Sequence, residues 1–394
     1  MTIVHISTDF PDPVVPAKTR AISTLVELTR ARFDHAVYSL NRVSPSPLRF
    51  LAATARNPLR PQLPIALAER TAEMATLTYQ APPKGVYLRA LLDRVADWIA
   101  DDIVRSGLRP GLIQGHKLSM EGIVAERVAA RLNLPYALSI QGNSDRTILS
   151  ARRDLTPLYR RIFHGAAVVF PFSPWALDFV EERLGRRSGA TIMLPCATPA
   201  DAVVAPISAQ PRLMSAFHLA NHRLKNADAL IAASRTLQDE IPDYALDIFG
   251  GGSDGDRATL EHSISTTGAR SARLAGPIAH DAIQARMNAS AGFVMISKRE
   301  SFGLVFVEAL LAGCPVAFPK GWAIDGFFDA APFAIPVSAD DGAAIADAMR
   351  RLVRDQPALK ASLARWQQSG AAGAFQRPAI ATAYGDGLSA ALAA

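Results

Sequence analysis

The sequence predicts an α/β protein built from two successive doubly wound units. Three observations predict it. The chain has 394 residues, which suits about two domains of ordinary size. Short apolar runs alternate with longer stretches of helical periodicity, the rhythm of parallel strands joined by crossover helices. That rhythm pauses in the segment PCATPADAVVAPISAQP, residues 195–211, where four prolines read as a hinge, and then begins again. The expected division is therefore 1–200, 201–375 and a helical tail at 376–394 that crosses back toward the first unit.

In the first unit strands are expected at 3–7, 35–40, 111–115, 136–140, 166–170 and 191–194, with helices at 88–106 and 120–132. Residues 43–67 carry prolines at 45, 47, 58, 61 and 64 and read as an irregular insertion or a broken helix. In the second unit the expected order is a strand in LMSAFHL, a helix at 226–239, the strands ALDIF and ARLAG, and a helix at 281–289. The strand GFVMIS, a helix at 302–312, the strand PVAF and a helix at 342–354 complete it. Two such sheets imply a cleft between them, with ligands outside the carboxyl ends of the strands.

Composition excludes several classes. Hydrophobic residues make up 49% and charged residues 20%, too core-rich for a disordered or low-complexity chain. Cys196 and Cys314 cannot staple a protein of this size and stand in no metal-binding spacing, so a reducing compartment and no metal are expected. The start lacks a basic, apolar leader, and no run of 18 apolar residues occurs, so neither a signal peptide nor a transmembrane helix is expected. The net charge of +6 is unevenly placed: residues 1–200 carry +8 and residues 201–394 carry −2. A basic surface suits nucleic acid, an anionic membrane or phosphorylated ligands.

The densest chemical signal is MISKRESFGLVFVEALLAGCPVAF, residues 295–318. It reads as strand, polar loop, helix and strand, with Ser301 as N-cap and Gly313 and Pro315 closing the helix. Phe302 to Leu311 is apolar almost all round except for Glu308. A buried carboxylate needs hydrogen bonds, and a vicinal diol satisfies both of its oxygens. Glu300 precedes the helix. The amides of Phe302, Gly303 and Leu304 then form a first-turn donor set with the positive end of the helix dipole, which suits a diphosphate. Spacing alone leaves open a plainer alternative, in which Glu308 pairs with an arginine and Glu300 is solvated.

This string resembles the retaining nucleotide-sugar glycosyltransferases of family 4, which have the GT-B fold of two Rossmann-like domains facing across a cleft. Its two glutamates with seven residues between them and the following EALLAGCPVAF match that family's motif, supported by LNLPYALSIQGNSD, Lys225-Asn226 and LDIFGGG. The resemblance implies that Glu308 holds the donor ribose, that Glu300 orients the transferred sugar and that amides near Gly303 and Leu304 hold the diphosphate. It also implies that Lys225 neutralises the leaving group. The family's companion arginine is absent, since Ala220 stands five residues before Lys225, and Arg223 is the nearest replacement, ahead of His218 and His222.

The first unit departs further from that family. TDFPDPVVPAKTR replaces a Gly-Gly loop, with Lys18, Thr19 and Arg20 as side-chain donors, and Gln141-Gly142 stands where the family often has His-Gly. Lys18, Gln141 and His116 are expected as sugar or acceptor contacts, although a lone histidine is often structural. FGGGSDGD at 249–256 reads as a tight connection or as an approach to the nucleotide, and Asp254 and Asp256 are not expected to bind metal. WAID at 322–325 replaces another Gly-Gly loop, with structural and functional readings both open.

The resulting expectation is a retaining transferase that moves a sugar from a nucleotide diphosphate sugar to a hydroxyl of a glycan or lipid-linked acceptor. It needs no cofactor and lies in the cytoplasm, with its basic half, including Arg146, Arg152, Arg153, Arg160 and Arg161, against an anionic leaflet. A nucleotide-sugar epimerase or phosphorylase and a non-catalytic binder of anionic surfaces are the alternatives. No nucleic acid is expected, because aromatic interleaving for base stacking is missing.

Overall fold

The computed structural model describes residues 1–279 and 281–394. Two compact units emerge: Met1–Phe172 with Ala176–Pro195 and Ile380–Ala394, and Ser173–Trp175 with Cys196–Ala379.

The first unit is built on eight strands: β1 (Thr2–Ser7), β2 (Asp34–Val43), β3 (Ile65–Arg70), β4 (Met74–Gln80), β5 (Pro110–Gly115), β6 (Tyr136–Ile140), β7 (Val168–Pro171) and β8 (Ala190–Thr191). Their order is β3-β4-β2-β1-β5-β6-β7-β8. All neighbours pair in parallel except β3, which runs antiparallel to β4 at the edge. Every residue of β7 is buried, as expected where helices cover both faces of a parallel strand.

The stretch 43–67 is more ordered than its prolines predict. Ser46 caps a helix at Pro47–Arg56 by accepting the Arg49 amide, and Pro47 occupies the first position, where it sacrifices no intrahelical bond. The chain then enters β3. Proline density misled here because prolines at a helix start and before an edge strand are compatible with both elements. The strand expected at 191–194 shrinks to Ala190–Thr191.

In the second unit six parallel strands follow the order β11-β10-β9-β12-β13-β14. They are β9 (Arg212–Ala216), β10 (Ala245–Phe249), β11 (Ala272–Gly276), β12 (Gly292–Val294), β13 (Val316–Pro319) and β14 (Ala334–Val337). β14 escaped the sequence reading because AIPV is short and contains a proline. The helix Gly342–Arg354 is N-capped by Asp341, which accepts the Ala344 amide.

The terminal helix Arg377–Leu392 passes into the first unit. Tyr384 meets Phe170 edge-on at 5.1 Å, and Arg32 pairs with Asp386 at 2.8 Å. Burial of apolar side chains on this helix, rather than the exposed ion pair, supplies most of the adhesion.

Candidate functional site

The motif segment departs from expectation at its turn. The helix spans Leu304–Leu311 and its N-cap is Gly303, at φ 70°. Ser301 therefore does not cap it, and the Phe302 amide falls outside the first turn, whereas that of Gly303, as N-cap, stays among the amides without an intrahelical partner. The reason is local: at positive φ the chain turns once more before the helical ladder begins. A Cβ on Gly303 would stand 2.7 Å from the Phe306 ring and 3.1 Å from Cγ of Glu300. Phe302 is buried, its ring edge-on to Phe327. The Ser301 carbonyl accepts the indole N–H of Trp175 at 3.2 Å, and the Ala323 carbonyl accepts the same N–H at 3.0 Å.

Lys225 and Glu300 are brought together. Nζ of Lys225 lies 2.5 Å from Oε2 of Glu300, both side chains being about five-sixths buried at 17% and 16% exposure. Two backbone features create the pair. The Lys298 amide donates to the Leu224 carbonyl at 2.9 Å, clamping the loop after β12 to the loop after β9. Asn226 takes φ 59° and donates to the Ala339 carbonyl at 2.8 Å, which starts the helix Ala227–Leu237 just beyond Lys225. Asparagine tolerates that conformation better than most residues.

Glu308 sits on the buried helix at 7% exposure, and its Oε1 accepts the Thr198 hydroxyl at 2.5 Å. No arginine pairs with it among the described residues. Thr198, in the proline-rich segment 195–211, was invisible to motif reading. Arg223 is exposed, and its guanidinium has no partner among the described residues.

The glycine loop after β10 has an architectural cause. A Cβ on Gly250 would come within 1.8 Å of the Phe217 carbonyl oxygen, so only glycine lets the two loops touch. Asp256 completes a capping box with Ser253. In the WAID loop, Asp325 accepts the Gly321 amide at 2.5 Å and Trp322 packs on Trp175 at 5.1 Å between centroids.

The first-unit candidates are engaged within that unit. Lys18 was expected to offer a free donor; instead its ammonium lies 2.6 Å from Oδ2 of buried Asp12 and 2.9 Å from Oγ of Ser39. Burial would raise the Asp12 carboxyl, but hydrogen bonds from Lys18, Ser39, Asn41 and the Val15 amide hold it at about 2. His116 was expected to face a ligand; it is fully buried, with Nε2 2.9 Å from Nδ1 of His5. Nε2 of His5 in turn lies 2.8 Å from Nδ1 of His35. Burial, reinforced by Lys117 and His35, lowers His116 to about 3. Gln141 donates to the His116 carbonyl at 2.7 Å. The strand-end position was read correctly, but side-chain direction depends on the register of β1, β2, β5 and β6 together.

A second buried network was missed. Lys117 contacts Asp9 at 2.7 Å and Thr8 at 2.8 Å, while Glu121, fully buried, accepts both the amide and the hydroxyl of Thr8. The expected arginine surface is also partly spent: Arg152 forks onto Asp154, Arg161 pairs with Glu126, and Arg160 donates to the Leu184 carbonyl. No group of three or more His, Cys, Asp or Glu among the described residues could hold a metal ion. No helix among them is long and apolar enough to cross a membrane.

The fold has known counterparts. Residues 210–371 match the family model described as Glycosyl transferases group 1. The solved structure of sucrose-phosphate synthase from Thermosynechococcus elongatus superposes with a TM-score of 0.68 at 20% identity, covering 98% of this chain and 97% of that one. The Anabaena protein HepE, in complex with UDP and glucose, gives 0.62 at 16% identity, with 99% of each chain covered. The E. coli structure described as trehalose-6-phosphate bound with UDP-2-fluoro glucose gives 0.62 at 12%, covering 98% and 99%. No curated protein matches the chain. The fold is thus GT-B, with two parallel-sheet units, and the segment holding Lys225, Glu300 and Glu308 carries the glycosyl transferases group 1 signature.

Proposed function

We propose that the protein is a retaining glycosyltransferase of the family 4 type, moving a hexose from a nucleotide diphosphate sugar to a hydroxyl of a glycan or lipid-linked acceptor. The observation that carries the proposal is the Lys225–Glu300 pair at 2.5 Å, which unites two groups 75 positions apart in one partly accessible site.

In this reading Glu308 receives the ribose hydroxyls and the amides at the start of the Leu304–Leu311 helix face the diphosphate. Lys225 and exposed Arg223 neutralise that group as it leaves. The bond from the anomeric carbon to the phosphate oxygen breaks while the acceptor oxygen bonds to the same face of that carbon. The acceptor's proton passes to the departing phosphate oxygen. Glu300, already ion-paired with Lys225, shares the ammonium with the diphosphate and orients the sugar. The work is positional and electrostatic, so no side-chain nucleophile is needed. A place in polysaccharide or glycoconjugate synthesis at the cytoplasmic membrane face fits the basic first half.

Titration calorimetry with a panel of nucleoside diphosphates tests the proposal. One member should bind the intact protein and lose at least about tenfold in affinity with Glu308→Ala, the scale of a lost charged hydrogen bond. Binding of the whole panel unaltered by Glu308→Ala would sink it.

A further inference from the structure

The first unit contains a cavity of about 550 Å³ that the proposed transferase chemistry does not use. It opens at the carboxyl ends of β2 and β4, where ligands enter sheets of this kind. Its wall is almost wholly apolar, formed by Pro83, Leu88, Leu91, Met120 and Ile148, and its volume is that of a small-molecule site. Few polar groups interrupt it. Tyr79 and Thr147 lie in the wall, and two arginines, Arg42 and Arg152, border it.

The arginines differ in what they have left to offer. Arg152 is neutralised by the two oxygens of Asp154 and also donates to the Gly85 carbonyl. Arg42 is exposed and donates one hydrogen bond, at 2.8 Å, to the Ala81 carbonyl; no carboxylate pairs with it among the described residues. It belongs to a stretch, residues 35–68, with four arginines and no acid. Arg42 therefore stands as an uncompensated cation beside an apolar chamber.

The neighbouring surface repeats that combination. The helix Pro47–Arg56 exposes Leu48 at 82% and Leu51 at 65% beside exposed Arg49 and Arg56. Phe50 of this helix packs edge-on against Tyr87 at 6.2 Å between centroids, next to Val86 and Leu88 of the cavity wall. Apolar side chains interleaved with arginines form the face that an amphipathic helix presents to an anionic amphiphile.

We infer that this cavity binds the alkyl portion of an anionic amphiphile whose phosphate-type head meets Arg42. That the amphiphile is the glycosyl acceptor rests on the proposed function; the binding itself does not.

Decyl phosphate, below its micellar concentration, is the probe, with decanol and inorganic phosphate as controls, measured by calorimetry on the full chain. Decyl phosphate should bind at least about tenfold more tightly than either control, the scale of one charged hydrogen bond. Ala151→Trp, at an exposed position in the cavity wall, should abolish that binding with the melting temperature unchanged. Arg42→Gln should erase the preference over decanol. Flotation with phosphatidylglycerol vesicles reads the source. Flotation lost in Ala151→Trp assigns a chain drawn from the bilayer, and flotation retained assigns a soluble amphiphile. Absence of decyl phosphate binding, or binding indifferent to Ala151→Trp, overturns the inference. Nucleoside diphosphate binding in the same samples reports separately on the transferase reading.

Discussion

The Thr198 hydroxyl donates to Oε1 of Glu308 across 110 positions of sequence, at 2.5 Å, and both side chains are buried. Thr198, in the proline-rich segment 195–211, thereby orients the carboxylate that we propose holds the ribose.

Thr198→Val keeps the shape and removes the donor. The expected result is nucleotide affinity reduced about tenfold, because a hydrogen bond to a charged group contributes about 1.5–3 kcal/mol. Thr198→Ser should restore most of it. Calorimetry on the three proteins checks this, and equal affinities for all three would show that Thr198 does not position Glu308.

Lys225→Ala and Glu300→Gln separate binding from turnover. Loss of the ammonium should lower kcat by about 10²–10³, as for one donor to a developing oxyanion. Glu300→Gln should lower kcat while leaving donor KM within about threefold, a loss confined to the transition state. Steady-state kinetics of donor consumption distinguish these from a uniform binding loss, in which KM alone would rise.

Gly303→Ala forces a side chain into a turn at φ 70° and toward the Phe306 ring. A destabilisation of about 1–3 kcal/mol is expected, typical of strained non-glycine backbone. Gly250→Ala should cost more, since its Cβ meets a carbonyl oxygen at 1.8 Å rather than a movable ring. Urea midpoints rank the two, and a neutral Gly250→Ala would contradict the close approach.

His5, His35 and His116 form a chain through the core of the first unit, and burial lowers all three below the ordinary histidine value. The unfolded chain takes up these protons near pH 6.5, whereas the folded chain resists, His116 down to about 3. Between those limits the unfolded state binds more protons. Stability is therefore full above about pH 6.5 and falls as pH drops, by up to about 1.4 kcal/mol per pH unit for each histidine. Urea unfolding at about pH 7.5, 6 and 5 should show this slope, and His116→Gln should flatten it. Asp12, held at about 2 against an ordinary value of 3.8, stabilises the fold above that range and adds a further loss only as pH falls from about 4 toward 2. A profile unchanged by His116→Gln would remove the histidine from the account.

The sequence by itself determined the α/β rhythm and the proline-rich segment at which one unit gives way to the next, and it singled out Glu300, Glu308 and Lys225, of which the structure joins Glu300 to Lys225 and buries Glu308. These are local signals: period, a buried charge in an apolar helix, and a basic turn before a helix. The exact start of that helix was not legible, because Ser301 is a good cap and only the positive φ of Gly303 delays the ladder. Tertiary structure alone decided which charges remain available. His116 sits at the end of β5 and Lys18 in the loop after β1, as expected, yet His5 and Asp12 hold them: strand register sets the first partner and the folding of the loop back on itself sets the second. Thr198, the histidine chain and the apolar cavity beside Arg42 were invisible for the same reason: each joins residues distant in sequence through packing that no single segment encodes.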